Sequence, residues 1–186
     1  DNLQKPYAHI KNSIIYNTFY LNQHDGAIYN SGDLILENTT LTENINTPAP
    51  GEPMCFDLTY WPDCGVIYHE NLASDGTDPY QFEPTLNVLN SIVYGNFPAN
   101  ITGGSGVIPE FNYSNIEQIN QNAIENNIQI NVNPLFNNSD NFDFSLQSNS
   151  PCIDAGDPNS GQDPDNTIKD MGAYFFNQAL TCDIST

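Results

Sequence analysis

The stretch IKNSIIYNTF (residues 10–19) returns three times along the chain. It comes back as LILENTTLTEN from Leu34, as NVLNSIVYGN from Asn87 and, more loosely, as EFNYSNIEQ from Glu110. Aligned on Asn12, Asn38 and Asn90, the copies stand 26 and 52 residues apart, which reads as one period followed by two. A second phrase, G-[AV]-I-[YP], interleaves with the first: GAIY from Gly26, GVIY from Gly65 and GVIP from Gly106.

A recurrence of about 20–30 residues that mixes short β-rich runs with Asn and Gly predicts a β-solenoid. In DLILENTTLTEN, Leu34, Leu36 and Leu41 stand among polar neighbours, the alternation of half-buried strands. Runs such as SIIY and SIVY are too short for helices, and the Asn, Gly, Asp and Ser between them supply turns. One coil cannot bury its own inner face, so each must stack on the next. The recurrent Asn12, Asn38 and Asn90 are then expected to form an inward ladder, amide on amide, in successive coils. With 28 asparagines in 186 residues, others must simply fill turns.

Two segments break the rhythm. TPAPGEPMCFDLTYWPDC, within residues 46–64, is proline-rich and holds the single tryptophan. Proline does not fit a central ladder, so the segment is expected to stand off the coils as an inserted loop. NLASDGTDPYQFEP (71–84) reads as a second excursion. Loops on one face of a repeat stack are favoured binding places. Tyr60, Trp61, Tyr68 and Tyr80 are accordingly candidates to stack on sugar rings, with packing of Trp61 onto the coils as the structural alternative.

The charge is lopsided. Three lysines (Lys5, Lys11, Lys169), no arginine and 23 acidic residues give a formal charge of −20. Nucleic acid is excluded as a partner, since phosphate neutralisation needs clustered Lys and Arg. Anionic membranes repel such a chain, and no apolar run approaches the roughly 18–20 residues of a membrane span. Cations, neutral sugars and basic surfaces remain, as does a purely solubilising role. The chain opens DNLQKPYAHI, without initiator methionine or an apolar leader, and reads as a piece of something longer. The four cysteines lack zinc-like spacing. Two local disulfides, Cys55–Cys64 and Cys152–Cys182, suit an exported protein; four reduced thiols are the other reading.

From Ile128 the text changes to IQINVNPLFNNSDNFDFSLQSNSPCIDAGDPNSGQDPDNTIKDMGAYFF. The pattern NPLF, DFSL, SPCIDAGDP and then GAY resembles the closing segment of secreted right-handed parallel β-helix proteins of the pectate-lyase-like class, of Bacteroidetes type. The upstream phrases are similar to coils of the same group, and the Cys55–Cys64 loop is the main departure. The resemblance implies an all-β, right-handed parallel β-helix. Coils would occupy 1–127, with the 46–64 insertion, and a last coil and C-terminal cap 128–186. It implies a secreted or cell-surface location. As a cap, Leu135, Phe136, Phe142 and Phe144 are expected to close the end of the stack.

The group contains polysaccharide lyases as well as surface proteins without chemistry, so fold alone assigns no reaction. A lyase needs a base and a positive charge or Ca²⁺ beside the substrate carboxylate. His9 and Lys11, two residues apart, are the best catalytic pair on offer; no nucleophile or nucleotide motif accompanies them. DAGDPNSGQDPDNTIKD sets Asp154, Asp157, Asp163, Asp165 and Asp170 in a Gly/Pro loop, and the first four are candidate Ca²⁺ ligands. An acidic loop held by Asx turns is the alternative. The expected function is a non-catalytic structural, adhesive or carbohydrate-binding module whose partners are polysaccharides or surface glycans, or other parts of a larger exported polypeptide. The alternatives are the end of a polysaccharide lyase, and cargo or a subunit of a secretion or surface assembly.

Overall fold

The structure, a computed structural model, describes residues 5–20, 26–46, 66–69, 83–97, 101–103, 108–119 and 123–178. Among these the chain is all β, apart from a 3-10 turn at Ser139–Asn141. Each repeat phrase is a pair of short strands joined by a two-residue corner. The first pair is β1 (Tyr7–Lys11) and β2 (Ile14–Tyr16); the second is β5 (Asp33–Glu37) and β6 (Thr40–Thr42). β9 (Thr85–Leu89) with β10 (Ile92–Tyr94), β12 (Glu110–Asn112) with β13 (Asn115–Ile116), and β14 (Ile124–Asn126) with β15 (Gln129–Ile130) complete five passes.

First members pair with first members and second with second, always in parallel. The result is two five-stranded sheets, β1-β5-β9-β12-β14 and β2-β6-β10-β13-β15. Between passes, β3 (Phe19–Tyr20) pairs with β7 (Ile45–Asn46), and β4 (Ile28–Asn30), β8 (Ile67–His69) and β11 (Ile101–Gly103) form a third parallel sheet. This arrangement is compatible with a β-helix-like solenoid.

The register corrects two details of the repeat. Lys11 lies beside Glu37, as the 26-residue spacing predicts, but Glu37 lies directly beside Leu89. The 52-residue gap is therefore one lengthened pass rather than two periods. GAIY and GVIY do align, Ile28 on Ile67. The third place in that sheet belongs to Ile101, whereas Ile108 of GVIP is 58% exposed ahead of β12. Both expected excursions fall largely on 47–65 and 70–82, outside the described residues.

Parallel register places like on like inside. Ile10, Leu36, Val88 and Phe111 form one stack, Ile15, Leu41, Val93 and Ile116 a second, and Ile28, Ile67 and Ile101 a third. All belong to, or pack against, one hydrophobic core. The fifth pass ends it with a charge. Glu125 occupies the inward place next to Phe111 and is exposed, a device that discourages further pairing at a sheet edge.

The corners explain why the first three phrases carry Asn and then a hydroxyl. Asn12, Asn38, Asn90, Tyr113 and Asn127 all have φ near +50°. Asn tolerates this left-handed conformation better than any residue but Gly. The N–H of Asn38 donates to Leu89 O (3.1 Å) and that of Asn90 to Asn112 O (3.2 Å), so the corners sit above one another as expected. Their amides, however, do not form the inward ladder. The next residue turns inward instead. Thr39 N–H donates to Ser91 Oγ and Ser91 N–H to Ser114 Oγ, both at 3.1 Å. Each hydroxyl in turn donates back to a carbonyl two residues earlier, Ser91 to Leu89 O and Ser114 to Asn112 O.

An amide ladder does exist, one corner further on. Asn44 is fully buried. Its Oδ1 accepts from Thr18 Oγ1 (2.7 Å) and Thr18 N–H (3.1 Å), and its Nδ2 donates to Asn96 Oδ1 (2.9 Å) and Ile15 O (3.0 Å).

The C-terminal segment also departs from expectation. It does not close the end of the stack but runs along its side. β16 (Phe136–Asn138) and β17 (Asp143–Leu146) form an antiparallel hairpin. Phe142 and Phe144 reach Tyr16 of the first pass, with ring centroids 5.3 and 5.1 Å away. Residues 150–176 then return over the outer face of the second sheet and its corner. Ile92, Leu146, Cys152 and Met171 make a second core there. Gly172 N–H donates to Asn90 O (2.8 Å) and Ala173 N–H to Thr40 Oγ1 (3.0 Å). The strap buries the outward Ile92 and half-buries Tyr94, taking apolar surface out of water.

Gly172 is a point of close approach between strap and coils. Its φ is +99°, and a Cβ there would lie 2.8 Å from Ile92 Cδ1 and 2.9 Å from Thr40 Oγ1. Strain and overlap add, so Gly172→Ala is expected to cost about 2–3 kcal/mol in urea unfolding. A loss below about 0.5 kcal/mol would show that the strap adjusts freely.

Candidate functional site

The outer face of the first sheet gathers two of the chain's three lysines, Lys5 and Lys11, with His9. β1 directs His9 and Lys11 to the same side, as their spacing predicts, and Glu37 on β5 receives both. Lys11 Nζ is 2.5 Å from Glu37 Oε1 and His9 Nε2 is 2.9 Å from Glu37 Oε2. Beside them Asp33 Oδ1 takes Lys5 Nζ (2.5 Å) and Thr85 Oγ1 (2.6 Å). Partial burial alone would raise both carboxyls. The Lys5 and Thr85 hydrogen bonds outweigh it for Asp33, and Lys11 and His9 outweigh it for Glu37, so both are held below the usual carboxylate range. Chemically this is a self-paired strip, in which both lysines already face a carboxylate.

The acidic loop is organised by Asx-type bonds. Asp157 Oδ1 accepts Asn159 N–H (2.9 Å), and Asp165 Oδ1 accepts Thr167 Oγ1 (2.7 Å) and N–H (3.2 Å). Asp154 Oδ2 accepts Gln178 Nε2 (2.7 Å). Asp154, Asp157, Asp163 and Asp165 therefore do not converge as a four-carboxylate calcium cage. Among the described residues no group of three or more His, Cys, Asp or Glu side chains is placed to hold a metal.

Two carboxyls of the loop, Asp163 and Asp170, are inward. Asp163 is 9% and Asp170 2% exposed. Asp163 Oδ2 accepts the N–H of Asp170 (2.8 Å). Asp170 Oδ1 accepts that of Asp154 (2.8 Å), and its Oδ2 that of Phe176 (2.5 Å). Burial raises Asp163, with the charge of Asp165 adding, against the pull of the Asp170 N–H and of Lys169. Burial pushes Asp170 up to about 6, over its hydrogen bonds, with the charges of Asp163 and Asp154 adding.

Asp163 and Asp170 line a cleft of ≈ 260 Å³ between the strap and the first two corners. Asn12, Asn38, Lys169, Tyr174 and Phe175 line it as well. Asn38 is 6% exposed, and its Oδ1 has no hydrogen-bond partner. A larger cleft, ≈ 350 Å³, lies between Glu43 and Tyr94 on one side and Leu135 and Gln147 on the other.

The remaining sequence-based candidates fall elsewhere. Tyr60, Trp61, Tyr80, Cys55, Cys64 and Cys182 lie outside the described residues, as does the side chain of Tyr68, whose backbone is in β8. Cys152 is a free, buried thiol rather than half of the expected Cys152–Cys182 bridge, and no disulfide is present among the described residues. Asn115 Nδ2 lies 3.4 Å from its Sγ, and burial pushes the thiol up to about 11. Among the described residues no helix is long and apolar enough to cross a membrane. Sequence reading missed Asn38 as a cleft wall, because the residues facing it lie more than a hundred positions away and no local signal links them. No family model, curated protein or solved structure matches the chain.

Proposed function

We propose that the chain forms the windings of a right-handed parallel β-helix of the secreted, pectate-lyase-like class, exported to the medium or the cell surface. In this reading it is a rigid structural or adhesive module that binds glycans and carries no chemistry of its own. The observation that carries it is the pairing on the open sheet face. Lys5, His9 and Lys11 are each engaged by Asp33 or Glu37. A lyase would need such a cation turned toward a substrate carboxylate and a base free to take a proton. The stacked ladders and the side strap fit a load-bearing rod. Tyr60, Trp61, Tyr68 and Tyr80 are the proposed sugar contacts.

A second reading, the end of a polysaccharide lyase, is favoured by one observation: His9 and Lys11 do share a face, 2.9 and 2.5 Å from one carboxylate. Two assays separate the readings. On a glycan array, wild type is expected to bind and Trp61→Ala to lose the signal. With alginate, pectin and chondroitin, with and without Ca²⁺, no unsaturated product is expected to absorb. An absorbance rise abolished by Lys11→Ala would establish the lyase instead.

A further inference from the structure

The larger cleft, ≈ 350 Å³ between the second sheet and the C-terminal hairpin, gathers polar groups that the protein itself leaves unanswered. Thr42 is 2% exposed, and its hydroxyl has no hydrogen-bond partner among the described residues. The carboxylate of half-buried Glu43 has neither hydrogen bond nor ion pair among them, and the Ser139 hydroxyl is equally free. Polar groups away from water are nearly always paired, so several unpaired ones around one cavity point to a ligand. The backbone agrees. Glu43 (φ +53°), Gly95 (φ +71°) and Leu135 (φ +56°) all hold left-handed conformations, and all three line the cleft. For Glu and Leu that conformation is unfavourable, and such strain gathers where a ligand is clamped. At Gly95 the missing side chain matters as well. A Cβ there would lie 3.4 Å from Thr42 Oγ1, so glycine keeps that hydroxyl open to the cleft.

We infer that this cleft is a subsite for a neutral sugar, whose hydroxyls are bound by Thr42, Glu43 and Ser139. A carboxylate only accepts, so Glu43 calls for a donor such as a sugar hydroxyl, while Thr42 and Ser139 give or take. Tyr94 and Phe136, both half-buried, supply apolar walls for the C–H face of a ring. Phe144 braces the Phe136 ring edge-on, with centroids 5.5 Å apart, so that wall is set before any ligand arrives. The volume lies at the small end of ligand pockets, about 300–1,000 Å³, and suits a short unit rather than a long stretch of polysaccharide. Charge removes the acidic glycans. Glu117 adds a second carboxylate beside Glu43, its Oε2 accepting Gly95 N–H (2.7 Å), on a chain of formal charge −20. An amine would pair with Glu43 yet leave both hydroxyls idle. The inference rests on the glycan-binding reading and adds to it residues that the sequence does not single out.

The test is a glycan array probed with the whole chain, followed by calorimetry with the glycan that gives the strongest signal. Wild type is expected to bind neutral glycans. Asn adopts a left-handed φ readily, so Gly95→Asn keeps the turn while filling the space over Thr42, and the signal should vanish. Glu43→Gly relieves the backbone and deletes the carboxylate; affinity should fall by about tenfold or more with no loss of Tm. Thr42→Val should weaken binding by about three- to tenfold with the Tm unchanged or higher, since the deleted hydroxyl serves no protein partner. A purely structural role would lower the Tm instead. Binding that survives Glu43→Gly, or Gly95→Asn with its Tm intact, overturns the subsite. If Trp61→Ala then abolishes that binding, the glycan-binding reading itself stands. Loss in the cleft variants while Trp61→Ala still binds would uphold the subsite and remove the loop contacts. Signals confined to charged glycans overturn the neutral-sugar assignment, and a wild type that binds no printed glycan sinks both readings.

Discussion

Replacing Asn44 by alanine is expected to cost about 3–5 kcal/mol of folding free energy, read as a lower urea midpoint with unchanged slope. Asn44 is 0% exposed, and its amide serves four partners: Thr18 N–H, Thr18 Oγ1, Ile15 O and Asn96 Oδ1. Alanine removes all four side-chain bonds at once; Asn96 Oδ1 keeps the N–H of residue 44 (3.1 Å), while Ile15 O and the two Thr18 donors lose their amide partner to a gap. Each polar group stranded in the interior is unfavourable by about 1–3 kcal/mol, while the partly exposed Thr18 recovers some loss through water. Asn44→Asp should be little better, because a carboxylate cannot donate to Ile15 O or Asn96 Oδ1. The comparison that decides the assignment is Asn12→Gly. Asn12 is exposed at a left-handed corner, φ +51°, where glycine is at ease. Its replacement should stay within about 0.5 kcal/mol. Equal costs at the two sites would return the ladder to the recurrent asparagines of the repeat phrase.

Phe111→Ala should be as damaging, about 3–5 kcal/mol. Phe111 is 0% exposed and stacks between Val88 and the inward place of Glu125. Every other apolar member of that stack is aliphatic, so the ring supplies the volume that closes the core against its exposed last layer. Its loss would open a cavity next to the inward place of a charged residue. Hydrogen exchange should then accelerate first in β14 and β15, which pair with β12 and β13. Phe111→Leu keeps most of the volume and should cost less than half as much. Uniform exchange across all five passes in Phe111→Ala would show that the stack melts as one unit and that no end is weaker.

Much of this architecture was legible in the order of residues. Short β runs, a 26-residue spacing and Asn at each break led to stacked parallel strands, and Lys11 beside Glu37 is that spacing realised. What misled was direction. At a left-handed corner the chain turns the following residue inward, so Ser91 and Thr39 enter the ladder while Asn90 and Asn38 look outward. A count of asparagines carries no such sign. The spacing of 52 was ambiguous for a related reason: inserted residues lengthen a pass without adding one, and only pairing tells the two apart. The side strap was hidden most deeply. NPLF and FDFSL announce an apolar surface, but not whether it covers an end or a flank. That choice rests on Ile92, Tyr94 and Tyr16, which lie far upstream and point outward. The cleft inherits the same opacity, since Asn38 and Asp170 meet only after the strap is in place.

Thr40 and Ala173 touch across 133 positions of chain. A ribosome adding about 5–20 residues each second therefore releases the early strands several seconds before their cover is made. During that interval Ile92 and Tyr94 face water on an otherwise finished surface, and two nascent copies on one messenger can find each other there. Glu125 blocks such encounters at the tip but not along the flank, so solubility in the newborn state depends on residues 136–176 arriving promptly.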